Sequence, residues 1–574
     1  RGSAKPTIMH CNITECAMAG ILCAGTSESR FSRNVVLRSR SFGVVLVDEA
    51  GGRFEKSRVS GTQKCGVVCT GGTRAVLEGL VVVDGSQGGI WVRGNSKVEV
   101  SGCFVSRNHK AGLQVSDTSN PIVNQNTICQ GKNGGVVVHG RAKGTFVGNT
   151  ISHHVQAAIG IMDLGTPTMI GNTLYENNGG GAVMAGESKS VWIGNHVAHN
   201  QIVGMGMKEK STARIYDCQV WGNQGHGILV QADCRVLLES CRVYLNSKVG
   251  IICAGSSNLE ALNCIVENSG SARTQRVGIQ ALEKSYLQAR NCTVTGHKNG
   301  NIVVQQQAFA ACLRCFISRS DWAGVVAQGQ SKVSVKHCQI RENDSSGLLA
   351  FDKAHVVAEG CFFLDSKGVG TVVAGSAHAI FTHNSFSGNQ GAGLCGRGHS
   401  SLAMKGNRLS LNGSHGLLID NHCIAVITGN SIFENHAAGV MLDESCQVVA
   451  SHNFIISGDS KNSSAVVVKG MERGDLRNNA LEDLQDQLGL DKAEVALVDN
   501  QILSRQEIKE LIEKSLKLEI IGPSAPVKHS LVSVITPDGT FALAAPTDAV
   551  HNSAAIKRGP RAPSPKTKVT NASK

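Results

Sequence analysis

One spacing governs this chain. A glycine-led pattern, clearest over residues 89–111 (GIWVRGNSKVEVSGCFVSRNHKA), restarts at Gly112 and recurs from Gly20 to Ala465. With the opening residue of each copy taken as an anchor, there are twenty anchors, seventeen of them glycine. Every step is 23 residues except Gly250 to Gly278, which is 28, and Gly439 to Ala465, which is 26. A fixed period of this length means one structural unit stacked on the next, so chain length does not count domains here.

Within a copy, apolar residues alternate at three places. Offsets one and three from the anchor carry Ile90 and Val92, Val136 and Val138, Leu417 and Ile419. Offsets nine and eleven carry Val98 and Val100, Val333 and Val335; offset sixteen carries Val105, Ile128 and Ile432. Alternation with period two predicts three short strands, and the Gly, Ser, Asn and Asp between them predict turns. Three strands in 23 residues close one turn of a right-handed parallel β-helix. The expected fold is therefore all-β: a single-stranded solenoid of about 20 turns over residues 1–480. Glycine at the anchor predicts a tight bend.

Offset fourteen is a second regularity. It reads Asn149, Asn172, Asn195, then Cys218, Cys241, Cys264, Cys292, Cys315, Cys338, Cys361, then Asn384, Asn407, Asn430. Stacked asparagines at a corner predict an amide ladder. Cysteine at the same place predicts a small buried filler, and stacked in-register neighbours do not suit disulfides. Cys312-Leu313-Arg314-Cys315 is the only CxxC and has no second pair, so no metal and no cofactor is expected.

After Asn479 the period stops. Residues 481–490 and a capping box at Ser504-Arg505-Gln506-Glu507 predict helices, 493–498 a strand, and residues around Pro537-Asp538-Gly539 a hairpin. Residues 481–546 are read as a small α+β cap, and 547–574 as a disordered basic tail. From Val550 on, that tail holds Lys557, Arg558, Arg561, Lys566, Lys568 and Lys574 and no acid, half of the formal net charge of +12. The rest is thinly spread, so nucleic acid is not an expected partner. No apolar run is long enough for a membrane span. Twenty cysteines in a chain of this length suit a reduced, intracellular setting, cytoplasmic or in a cytoskeletal or ciliary assembly. The chain opens in mid-repeat, which reads as a fragment or trimmed form.

If offsets one and three face inward, offset two faces out and should be polar. It is instead Val303, Val326, Leu349, Val372, Cys395, Leu418, Met441 and Val467 on consecutive turns. An outward apolar stripe of this length predicts an interface, filled either by the C-terminal cap or by a protein partner. Offset ten repeats the feature at Val357, Ile380, Ala403, Val426 and Val449.

With N-x-[IV] at a corner, as in Asn149-Thr150-Ile151 and Asn430-Ser431-Ile432, and G-Φ-x-Φ opening each turn, the chain resembles the right-handed parallel β-helix repeat family over roughly residues 8–480. The resemblance implies two branches. One consists of secreted carbohydrate-active enzymes, which place Asp residues with Arg, Lys or His in a groove. The other, which this chain resembles more, consists of intracellular recognition scaffolds such as β-helix F-box adaptors, with similar rods in assemblies such as cilia. Candidate carboxylates exist: Asp420 and Asp443 share offset four on adjacent turns, and Asp352 lies one offset on, three turns from Asp420. Because Asp48, Asp117 and Asp163 hold offset five elsewhere, turn formation is the first expectation for these residues. The chain is thus expected to be a non-enzymatic protein-interaction scaffold that uses Val303, Val326, Leu349, Val372, Leu418, Met441 and Val467. The alternative is a polysaccharide lyase or hydrolase with its groove around Asp420 and Asp443, and so a carbohydrate partner.

Overall fold

A computed structural model describes residues 2–268, 274–443, 445–456, 464–468, 473–481, 494–498, 501–502, 533–535 and 541–543. Every regular element among these is a β-strand, and no helix among them is long and apolar enough to cross a membrane. The expected helices at 481–490 and after Ser504 and the basic tail lie outside the described residues, as do most of the two insertions.

Each 23-residue copy contributes one strand to each of three parallel sheets. In the copy that starts at Gly89 these are Ile90–Val92, Glu99–Ser101 and Phe104–Ser106. Each strand pairs with its equivalent 23 residues on: Ile90 with Leu113, Trp91 with Gln114, Val92 with Val115. The fold is a right-handed parallel β-helix whose first sheet, at offsets one to three, has 20 strands among the described residues. The second and third sheets have 22 each, because Thr7–Met9 and Asn12–Thr14 precede the first full copy and Glu494–Val498 and Gln501–Ile502 pair with Arg473–Arg477 and Ala480–Leu481 at the other end. Farther on, Ser533–Ile535 and Phe541–Leu543 pair antiparallel in a second compact unit.

The core is the inside of the triangle. Alternate strand residues fill it, Trp192 being the largest fully buried side chain. Phe363 and Phe386 stack at 4.8 Å, with Phe381 edge-on to both. Each buried aromatic or branched side chain contributes about 1.5–3 kcal/mol by leaving water.

The anchor glycine has a different cause from the one expected. Gly89 lies next to the start of a strand and has ordinary φ, while a Cβ there would come within 2.5 Å of both the Gly112 carbonyl oxygen and Val105 Cγ1. Lack of room, not a left-handed bend, selects glycine. Left-handed residues sit elsewhere in the repeat, as at Gly102 and Arg107.

The offset-fourteen ladder is as expected, and its hydrogen bonds explain why two residue types share it. The Asn149 backbone N–H and its Nδ2 both donate to Asn172 Oδ1, each at 2.9 Å, and Asn149 Nδ2 also donates to the Val123 carbonyl. The next rung, Asn172 to Asn195, repeats this at 2.9 and 3.0 Å. Asn195 N–H then donates to Cys218 Sγ at 3.3 Å. Within the cysteine run, Cys315 N–H donates to Cys338 Sγ, and Cys338 Sγ donates to the Lys336 and Cys312 carbonyls. A thiol both accepts and donates, so it substitutes for the amide with weaker bonds. At the far end Cys361 N–H returns to Asn384 Oδ1 at 2.9 Å.

A second buried ladder at offset nineteen was not expected. Asn177, Asn200, Asn223 and Asn246 pass Nδ2–H to Oδ1 along the axis at 2.9, 3.0 and 2.9 Å. The 28-residue step would break it. Gln275 repairs it, accepting from Asn246 N–H at 3.2 Å and bonding His297 Nε2 at 2.9 Å. His297 Nδ1 meets Asn301 Oδ1 at 2.7 Å. Since both partners are amides, the network is satisfied by a neutral imidazole that donates from Nδ1 and accepts at Nε2. Burial holds the His297 pKa down to about 4.

Candidate functional site

The first turn of each copy, offsets four to seven, links the first sheet to the second. Here three consecutive copies place Arg397, Asp420 and Asp443 at the same position. Strand register carries the column: Leu418 pairs with Met441 and Ile419 with Leu442. Asp420 N–H donates to the Gly396 carbonyl at 2.9 Å, and Asp443 N–H to the Ile419 carbonyl at 2.8 Å. Equivalent backbone atoms are therefore about 4.8 Å apart, one strand spacing. Both carboxylates are half-buried and Arg397 is exposed.

The turn after Asp420 is unusual. Asn421 and His422 both hold positive φ, 51° and 62°. Two successive non-glycine residues in the left-handed region store strain, a property concentrated at functional sites. Asn421 Nδ2 donates to Asp420 Oδ2 at 2.8 Å, which fixes that carboxylate. His422 stacks on His399 of the preceding turn, with ring centroids 5.3 Å apart and planes 11° apart. The residues around the column are thus one guanidinium, two carboxylates, one amide and two imidazoles.

Asp352 does not join them. It sits at φ 63° and its Oδ2 accepts from Gly329 N–H at 3.2 Å. Asp48, Asp117 and Asp163 make the same bond to the glycine one turn back, at 2.9–3.0 Å. Asp352 is a turn brace and drops out as a catalytic candidate.

The apolar stripe needs correction. Val303, Val326, Val372 and Met441 are 5%, 1%, 8% and 7% exposed, and Leu349, Leu418 and Val467 are half-buried. Val249, Val277 and Ala323 on one side, with Leu282 and Phe351 on the other, pack with Val303 and Val326 into a small second core. Val303 and Val326 are covered from within their own sheet, and none of the seven stripe residues is fully exposed. On the second sheet, Val357, Ile380, Val426 and Val449 are exposed.

Beside this second core, polar side chains line the same edge. Gln280 Nε2 donates to Gln305 Oε1 at 2.9 Å, and Gln305 Nε2 to Gln328 Oε1 at 2.8 Å. Next to them an open trough of about 510 Å³ is lined by Glu283, Lys284, Gln306, Gln307, Gly329 and Gln330. Nothing in the repeat pattern marked these glutamines: Gln280 is at offset two, and the others recur at offsets four to six.

The sequence matches the family described as the right handed beta helix region over residues 19–174, 164–294, 203–363 and 323–481. The chain belongs to the right-handed β-helix family. No curated protein matches it. Among solved structures, this β-helix is similar to the mannuronan C-5 epimerase A-module of Azotobacter vinelandii, with 11% identity over 76% of this chain and 89% of that one, TM-score 0.24. It is similar to a periplasmic alginate epimerase, with 10% identity over 73% and 78%, TM-score 0.24. An alginate lyase gives 9% identity over 87% and 97%, TM-score 0.24. At these values the likeness is one of fold. The expectation of a stripe-presenting protein-interaction scaffold is overturned by the burial of its stripe.

Proposed function

We propose that this β-helix is a carbohydrate-active protein that cleaves glycosidic bonds with Asp420 and Asp443. The observation that carries the reading is the Arg397–Asp420–Asp443 column on three consecutive turns. Two carboxyl groups about 5–5.5 Å apart suit a retaining glycosidase; the backbones that carry Asp420 and Asp443 are one strand spacing apart, about 4.8 Å. In this reading Asp420, whose carboxylate Asn421 binds, is the nucleophile and Asp443 is the acid. The Asp420 carboxylate attacks the anomeric carbon while the bond to the leaving oxygen breaks, and Asp443 gives that oxygen its proton. A water then attacks the glycosyl ester and passes its proton to Asp443, which frees Asp420 and releases the sugar with its configuration retained. Asn421, bound to Asp420 Oδ2, positions the attacking carboxylate.

The compartment belongs to the same proposal. All twenty cysteines are free thiols and seventeen of them are buried, which supports a reduced, intracellular setting. The test is release of reducing ends from a panel of polysaccharides by the wild-type chain and by D420N. Release that the variant loses supports the reading; equal release by both overturns it.

A further inference from the structure

The trough lies on the same edge of the helix as the carboxylate column, its near end four turns and so roughly 19 Å before Asp420. Its ionic groups are one carboxylate, Glu283, and one ammonium, Lys284; the remaining side chains are the amides of Gln306, Gln307 and Gln330. The fold already uses some of their atoms. Gly255 N–H donates to Glu283 Oε2 at 2.7 Å, and Glu283 N–H donates to Gln306 Oε1 at 2.7 Å. Gln307 Nε2 reaches Gln330 Oε1 at 3.4 Å. What faces a ligand is then a mixture: the Gln306 and Gln330 NH2 groups and Lys284 as donors, Gln307 Oε1 and Glu283 Oε1 as acceptors.

We propose that this trough binds a neutral polysaccharide, laid along the helix axis, rather than a polyuronate. A sugar hydroxyl both donates and accepts, so it pairs with either kind of group. A chain of carboxylates would need a surplus of cations, and here the single cation is balanced by a carboxylate one residue away. Side chains at offsets five and six recur every strand spacing, about 4.8 Å, close to the rise of one extended pyranose unit. Hydrogen bonds from Gln280 to Gln305 and from Gln305 to Gln328 tie the neighbouring turns together. The trough differs in kind from the column around Asp420, which holds two carboxylates and a guanidinium.

The substrate assignment rests on the cleavage reading above, but its test reads binding alone. Calorimetry with cellohexaose, xylohexaose, mannohexaose and hexagalacturonate compares wild type, D420N and the double variant Gln307→Ala, Gln330→Ala. Both glutamines are exposed, so the double variant keeps the wild-type circular dichroism. The expected result is that wild type and D420N bind one of the neutral hexaoses equally and that the double variant binds it about tenfold more weakly, one decade of Kd. Neutral-hexaose binding without cleavage would sustain the trough and defeat the catalytic column. Preference for hexagalacturonate, no binding of any neutral hexaose, or unchanged affinity in the double variant would overturn the trough.

Discussion

Asp420 and Asp443 stand in one column, a single turn of the helix apart, each opening the turn after a strand of the first sheet. A β-helix makes such pairs readily, because equal offsets on successive copies fall one strand spacing apart. Their chemistry then depends on what breaks the repeat around them. Here that is Arg397 one turn before, and the left-handed Asn421–His422 pair directly after Asp420.

The asparagine ladder is a stability element. Asn172→Ala leaves the Asn149 N–H without its partner in a buried site, at a cost of about 1–3 kcal/mol. Asn172→Cys should cost less, since Cys218 already fills the equivalent place beside Asn195. Urea unfolding of the two variants checks the order; equal losses would mean that the thiol does not serve as a rung.

His297 should make stability depend on pH. Its folded pKa is held down to about 4 by burial, against an ordinary value of 6.5. The unfolded chain therefore takes up the proton first as pH falls below 6.5, and stability drops until the folded pKa is passed. The term is on the order of 3 kcal/mol across that window, at 1.4 kcal/mol per unit. His154 is shifted the same way by burial. His297→Gln should flatten the pH dependence of the urea midpoint between pH 4.5 and 7.5, and an unchanged slope would show that other groups carry it.

Thiol chemistry follows burial. Cys11 is exposed and Cys16 and Cys129 are half-buried, while the other seventeen cysteines are buried. Burial pushes Cys69, Cys218 and Cys253 up to about 12, which leaves little thiolate to react. A thiol reagent at neutral pH should modify these three accessible residues quickly and the remainder only after unfolding. Fast reaction of Cys338 would contradict the buried ladder.

Val326 and Ile380 separate buried from exposed apolar positions. Val326→Lys puts an unpaired ammonium at a site that is 1% exposed and should cost about 3 kcal/mol or more. Ile380→Lys, at 50% exposure, should stay within about 0.5 kcal/mol. Thermal unfolding distinguishes them, and equal small effects would restore the stripe as an open surface.

These comparisons show where reading by offset succeeds. Strand number, register and the offset-fourteen ladder follow from period and alternation alone, because stacked identical environments select similar residues. The offset-nineteen ladder escaped notice because Asn, His, Gln and Ser all satisfy it, so composition varies where hydrogen bonding does not. The stripe was misjudged for another reason. Alternation shows that Val326 points away from the core, but not that Ala323 and its neighbours close over it. Asp352 and Asp420 differ by one offset, yet only the backbone bond from Gly329 reveals that one braces a turn.

The central claim is that Asp420 and Asp443 act as a pair. Its most direct measurement is initial rate of neutral-polysaccharide cleavage by wild type, D420N and D443N, each checked for unchanged circular dichroism. The account predicts wild-type cleavage and a loss of roughly 10²–10⁴-fold in each variant. No cleavage by the wild-type chain, or cleavage that survives in either variant, would contradict it.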